Sequence, residues 1–290
     1  MSIADTTASR KLKILFLHGY TQNADVFSRR MAVVRKSLAN IADCRFLDAP
    51  HIMNEPTTTT SNFTAFDSDT TFASSSTTAP EHLPRAWWFR KDLETEAGVK
   101  IHYQGLRESL ELLGKVLREE GPFDGVWGFS QGAAFVSIVT AQLIKNHERR
   151  LGSNGGQGGK DRVLGDHPPF RFSVMVSGFL PMDAEQTGHL WEGAVTSKWT
   201  GTLFILGRSD QIIPTKMSQP LVEMFQNPRL EYHDGGHFCP SKPAWRDFFH
   251  DWIASFLPSG KDEGIDAQAH QAREKSEAVP SPVSGLTAAL

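Results

Sequence analysis

Gly-Phe-Ser-Gln-Gly at 128–132 places a serine between two glycines, with an apolar run before it and another after it. A serine hydroxyl attacks carbonyl carbon poorly unless a general base stands beside it. In the G-x-S-x-G pattern the serine sits on a sharp strand-to-helix turn, and an acid and then a histidine follow later in the chain. Both follow here in that order: Asp210 in Gly-Arg-Ser-Asp-Gln-Ile-Ile-Pro (207–214) and His237 in His-Asp-Gly-Gly-His-Phe-Cys-Pro (233–240). These three residue types suit acyl transfer. Ser130 would attack an acyl carbonyl, His237 would take and return its proton, and Asp210 would orient the imidazole. The developing oxyanion needs preorganised donors. The N–H of Gln131, directly after the nucleophile, is one; the N–H of Tyr20, in His-Gly-Tyr-Thr-Gln-Asn (18–23), is the other.

Each assignment has a plainer rival. Ser130 could be a turn residue only, but strand, helix, acid and histidine in order argue against that. Asp183 and Asp234 compete with Asp210, which is preferred because it closes a convincing strand and opens into a helix. His233 falls inside a strand run, which suits packing, whereas Gly235-Gly236 lets His237 turn back over a sheet. His18 is expected to hydrogen-bond its own loop and shape the oxyanion site. Cys239 reads as a small packed residue, not a second nucleophile. Trp87, Trp88, Leu190 and Trp191 are the expected walls of a substrate pocket, although large aromatics serve as core at least as often.

Positioning these groups requires alternating strands and helices. The apolar run at 12–20 reads as a buried parallel strand and 26–41 as a helix with apolar residues close to helical spacing. Strand-like runs recur at 44–50, 123–129, 172–178, 201–207 and 229–235. Helical patterns fill 103–121, 133–150, 215–226 and 244–257. Leu106, Leu110, Leu113 and Leu117 share one face of the first of these. The alternation predicts an α/β architecture: a mostly parallel central sheet of about six strands, helices on both faces, ligand bound past the carboxyl ends of the strands. His18, Ser130, Asp210 and His237 all lie just past strand ends.

The 290 residues carry 39% hydrophobic and 22% charged side chains and a formal net charge of -3, which suits one soluble globular domain. That balance gives no electrostatic reason to expect nucleic acid or an anionic membrane as partner. Two cysteines are too few for a disulfide framework or a four-ligand zinc site without histidines. No signal-peptide core or membrane-length apolar stretch is present, so the cytoplasm is the expected location. Residues 1–10 are expected to be a flexible N-terminus, 11–257 the domain, 54–80 and 149–169 surface loops, and 258–290 a disordered tail. No G-x-G-x-x-G follows the first strand, which argues against a dinucleotide enzyme.

Taken together, "LFLHGYTQN", "RAWWF", "GLRESLELL", "GVWGFSQGAA", "SGF", "GRSDQIIP" and "GGHFCP" resemble the FSH-type family of serine hydrolases over roughly residues 11 to 257. The resemblance implies the α/β-hydrolase fold and an esterase or thioesterase with Ser130, Asp210 and His237 as its triad. It implies no cofactor and a small-molecule ester or thioester as substrate. Some members release a polyketide chain from an acyl carrier protein, which makes a pathway thioesterase the alternative expectation. A binding protein on an inactive hydrolase scaffold is the rival outside enzymes, and the intact triad argues against it.

Overall fold

The computed structural model describes residues 10–53, 83–152, 163–258 and 278–283. Six parallel strands form the central sheet: β1 (Leu12–Leu17), β2 (Ala42–Leu47), β7 (Gly125–Phe129), β8 (Phe172–Val176), β9 (Gly201–Gly207) and β10 (Arg229–His233), in the order β10-β9-β8-β7-β1-β2. Successive strand side chains point to opposite faces. Leu12, Ile14 and Phe16 of β1 therefore enter one apolar cluster while Leu15 and Leu17 enter the other. Phe172, Val174 and Val176 of β8 join the first cluster, and Met175 joins the second.

Helices cover both faces. The first cluster is closed by α1 (Ala24–Arg30), α2 (Ala32–Leu38) and α7 (Pro243–Ala254), which contribute Phe27, Val34, Phe249 and Trp252. The second is closed by α3 (Leu106–Glu120), α4 (Gln131–Gly152) and α6 (Thr215–Glu223), with the short α5 (Ala184–Thr187) beside them. The one helix read over 26–41 is broken at Met31, whose N–H still reaches the Phe27 carbonyl.

Two small antiparallel pairs precede α3: β3 (His51–Ile52) with β4 (Arg85–Ala86), and the hairpin β5 (Phe89–Thr95) with β6 (Gly98–Gln104). The hairpin takes Tyr103 and Gln104 out of the expected helix, which begins at Leu106 after Gly105 at its N-cap. Val99, Ile101 and Tyr103 alternate with polar residues, the period-2 signal of a strand. The expected loop at 149–169 is also only partly a loop. α4 continues to Gly152, Leu164 is fully buried, and His167 Nε2 accepts the Phe123 N–H at 2.9 Å. The stretch 54–80 lies outside the described residues.

The tail shows a further departure. Residues 278–283 lie against β10, where Arg229 Nη2 donates to the Val279 carbonyl at 2.5 Å and Ser281 Oγ donates to Glu231 Oε2 at 2.6 Å. β10 is an edge strand, and its Arg229–Glu231 pair at 2.9 Å gives a polar segment something to bind. Val279 adds an apolar contact to the cluster under α7.

Candidate active site

Parallel strands end on one side of a sheet, so the loops after β1, β7, β8, β9 and β10 converge there. Ser130 follows β7 directly and precedes the first residue of α4. Its φ of 53° lies in the left-handed region, which costs a non-glycine residue about 1 to 3 kcal/mol and persists only where its surroundings enforce it. The surroundings do so: the Ser130 N–H donates to the Val176 carbonyl at 2.9 Å, and the Ser130 carbonyl accepts from Ala133 and Ala134 at 2.9 and 3.1 Å. Gly132 permits the turn because a Cβ there would sit 2.3 Å from the Leu17 carbonyl oxygen and 2.4 Å from that of His18. The elbow can pack against the end of β1 only without that carbon.

Ser130 Oγ lies 3.0 Å from His237 Nε2, and His237 Nδ1 lies 2.8 Å from Asp210 Oδ2. Burial alone would raise the Asp210 carboxyl. The His237 hydrogen bond and charge, with the Ile213 and Ile212 N–H groups, outweigh it and hold the carboxyl below the usual carboxylate range. An ionised carboxylate only accepts, so Nδ1 carries the ring proton and Nε2 presents a lone pair to the serine O–H. The Phe129 ring, 4.8 Å from the imidazole, packs beside it.

The rival acids are occupied elsewhere. Asp183 is fully buried and accepts from Tyr103 N at 2.7 Å and Gln186 N at 3.0 Å, tying β6 to the start of α5. Asp183 thus caps α5, and the Gln186 side-chain amide donates to its Oδ2 at 2.6 Å. Asp234 is exposed and lies 3.6 Å from Arg208. His233 packs against Phe238 and Trp245, and its Nδ1 accepts from Gly235 N at 3.2 Å. Burial pushes the Cys239 thiol up to about 12, far from the thiolate a nucleophile needs. Among the described residues no group of three or more His, Cys, Asp or Glu side chains is arranged to hold a metal ion. No helix among them is long and apolar enough to cross a membrane.

A profile of the family described as Serine hydrolase (FSH1) matches residues 7–249. The chain belongs to the FSH1 serine hydrolase family. Relatives extend the match: Esterase CG5412 of Drosophila melanogaster is 29% identical over 280 residues, covering 90% of this chain and 86% of that one. Esterase OVCA2 of Danio rerio is 30% identical over 248 residues, covering 84% and 97%. Among solved structures, Zea mays acyl-protein thioesterase 2 superposes with a TM-score of 0.52 at 18% identity, covering 86% of this chain and 95% of that one. That likeness shows the α/β-hydrolase fold.

On the oxyanion side of this hydrolase, Gln131 is the first residue of α4, so its N–H has no acceptor within the helix and sits at the positive end of the helix dipole. In the turn after β1, Gly19 N donates to Gln22 Oε1 at 3.1 Å, Thr21 N to the Arg85 carbonyl at 3.0 Å, and Gln22 N to the Gly19 carbonyl at 3.2 Å. The Tyr20 N–H is left without an acceptor among the described residues.

The four expected pocket residues are placed otherwise. Trp87 and Trp88 are core: Trp87 stacks on Phe135 at 4.8 Å and Trp88 on Tyr103 at 4.9 Å, with almost no surface left for a ligand. Leu190 and Trp191 lie well along α4 from Ser130, at a 3-10 turn (Gly188–Leu190) whose His189 carbonyl accepts from Lys145 Nζ at 2.9 Å. Lys145 is about 20 Å along the helix from Ser130 at 1.5 Å per residue. The reason is topological. After β8 the chain must return the full length of the sheet to begin β9, and by residue 190 it has already left the strand ends.

Buried His18 gives the site an acid sensitivity. Burial pushes its imidazole down to about 4, whereas an unfolded imidazole titrates near 6.5. The unfolded chain then binds a proton that the folded chain refuses, so stability is complete above about pH 6.5 and falls by roughly 3 kcal/mol as the pH drops to 4. Urea unfolding at pH 7 and pH 4.5 should show this loss, and His18→Asn should remove most of it. Equal pH slopes for the two proteins would contradict the assignment.

Proposed function

We propose that this hydrolase cleaves carboxylic esters or thioesters through an acyl-enzyme on Ser130. The observation that carries this reading is the unbroken relay from Ser130 Oγ through His237 to Asp210 at the end of β7. Relatives bearing the name esterase support the acyl substrate. As Ser130 Oγ bonds to the acyl carbon, its proton passes to His237 Nε2, and the imidazolium is stabilised by the Asp210 carboxylate. The carbonyl oxygen gains negative charge between the N–H groups of Tyr20 and Gln131, each donor of this kind being worth about 2.7 to 4 kcal/mol. Collapse expels the alcohol or thiol, which takes the proton from Nε2. Water then attacks the acyl-serine by the same proton path, releasing the carboxylic acid and restoring the O–H.

A fluorophosphonate tests the nucleophile. Displacement of fluoride should leave one phosphonyl group on the peptide carrying Ser130, and a protein that stays unlabelled would overturn the reading. The shared intermediate gives a second check. An oxygen ester and a thioester of one acyl group pass through the same acyl-Ser130. With methanol competing against water, both should give the same ratio of methyl ester to acid. Ratios that differ between the two leaving groups would exclude a common acyl-enzyme.

A further inference from the structure

The two oxyanion donors come from segments far apart in the chain, and a set of side chains outside the triad joins them. The Gln131 side chain bridges backwards: its Oε1 accepts the Trp87 N–H at 2.9 Å and its Nε2 donates to the Trp88 carbonyl at 2.8 Å. Trp87 then reaches the other donor loop, its indole Nε1–H donating to the His18 carbonyl at 2.8 Å. His18 continues the path. The Ala49 N–H donates to its Nε2 at 3.0 Å, so that nitrogen bears no proton, and the neutral ring must carry it on Nδ1, which donates to the Gly19 carbonyl at 2.8 Å.

The consequence is geometric. A peptide unit is planar, with its C=O and N–H pointing in opposite directions. The His18–Gly19 unit is held at both ends, by Trp87 on the carbonyl and Gln22 Oε1 on the N–H. The Gly19–Tyr20 unit is held at its carbonyl by His18 Nδ1–H and by the Gln22 N–H. Fixing that carbonyl aims the Tyr20 N–H the opposite way. Glycine at 19 would otherwise let the unit rotate, because it has the widest backbone freedom.

We infer that Trp87, acting through the His18 carbonyl and tied to Gln131, is a positioning residue that holds the Tyr20 N–H in register with the Gln131 N–H for the oxyanion. This rests on the acyl-enzyme reading above. Trp87 is fully buried and stacked on Phe135, so it acts on the reaction only through the loop it holds.

Trp87→Phe removes the indole donor and keeps an aromatic ring against Phe135. His18→Asn keeps an N–H near the place of Nδ1 and loses the contact with Ala49. For an oxygen ester, Trp87→Phe is expected to lower kcat about tenfold with KM within twofold of wild type, because the oxyanion forms after the substrate binds. Trp87→Phe frees the His18 carbonyl and His18→Asn frees the Ala49 N–H, and both loosen the one loop that carries the Tyr20 N–H, so their combination should cost less than the product of the single losses. Circular dichroism and Tm identify a variant that has not folded, in which case the cycle is run with Gln131→Met in place of Trp87→Phe. Ser130→Ala separates the two levels of the argument. If it stays active, the acyl-enzyme reading fails. If it is inactive while Trp87→Phe keeps wild-type kcat, loses rate through KM, or combines multiplicatively with His18→Asn, the positioning role is overturned.

Discussion

Ser130→Ala is expected to lower kcat about a million-fold, the size of loss seen when a triad serine is removed and only oxyanion donors and binding remain. The site gives a reason to expect full loss and intact folding. Ser130 Oγ makes one described hydrogen bond, the 3.0 Å contact to His237, while its backbone makes the contacts that hold the elbow. Alanine keeps all of the backbone contacts and tolerates φ 53° about as poorly as serine does. Tm should therefore move little. Ester hydrolysis by purified variant and wild type at equal concentration measures the effect. A residual rate above one hundredth of wild type would mean that another group supplies the nucleophile.

Asp210→Asn should cost about ten-thousand-fold in kcat at neutral pH, through a wrong histidine tautomer. The structure makes this outcome hard to escape. Asp210 Oδ1 accepts from the Ile212 and Ile213 N–H groups at 3.0 and 2.9 Å. An asparagine must leave its oxygen in that position, which turns its NH2 toward His237 Nδ1. A donor facing Nδ1 forces the ring proton onto Nε2, where it points at the serine hydroxyl and leaves no base. Steady-state kinetics gives the loss, and nitrogen NMR of the imidazole reports the tautomer. A variant within a hundredfold of wild type would show that Asp210 does not set the state of His237.

Much of this was legible because the signals are local. The elbow is five consecutive residues between an apolar strand and an apolar helix, and the steric need for Gly132 is met within one turn. The acid and the histidine follow strands whose apolar runs are continuous, so a parallel sheet brings them to one edge once its topology is fixed. The hairpin at 89–104 was also encoded locally, in the alternation of Val99, Ile101 and Tyr103. Local signals failed where a residue's role depends on the path of the chain. Leu190 and Trp191 follow a strand end in sequence, but the return to β9 carries them to the level of Lys145, about 20 Å along α4 from Ser130.

The proposed chemistry was already written in the chain: the candidate nucleophile on its elbow, the order of candidate acid and base, and the alternation of strands and helices that orients them. What holds the oxyanion side rests on contacts that form only when distant segments pack together. Trp87, His18, Gln131 and Ala49, four residues far apart in the chain, meet through hydrogen bonds of an indole, a side-chain amide, a backbone N–H, and the carbonyl and imidazole of His18. Nothing in the identity of a tryptophan distinguishes a pocket wall from a core donor. The difference lies in whether its N–H finds a buried acceptor, and that depends on which backbone the folded chain brings to it.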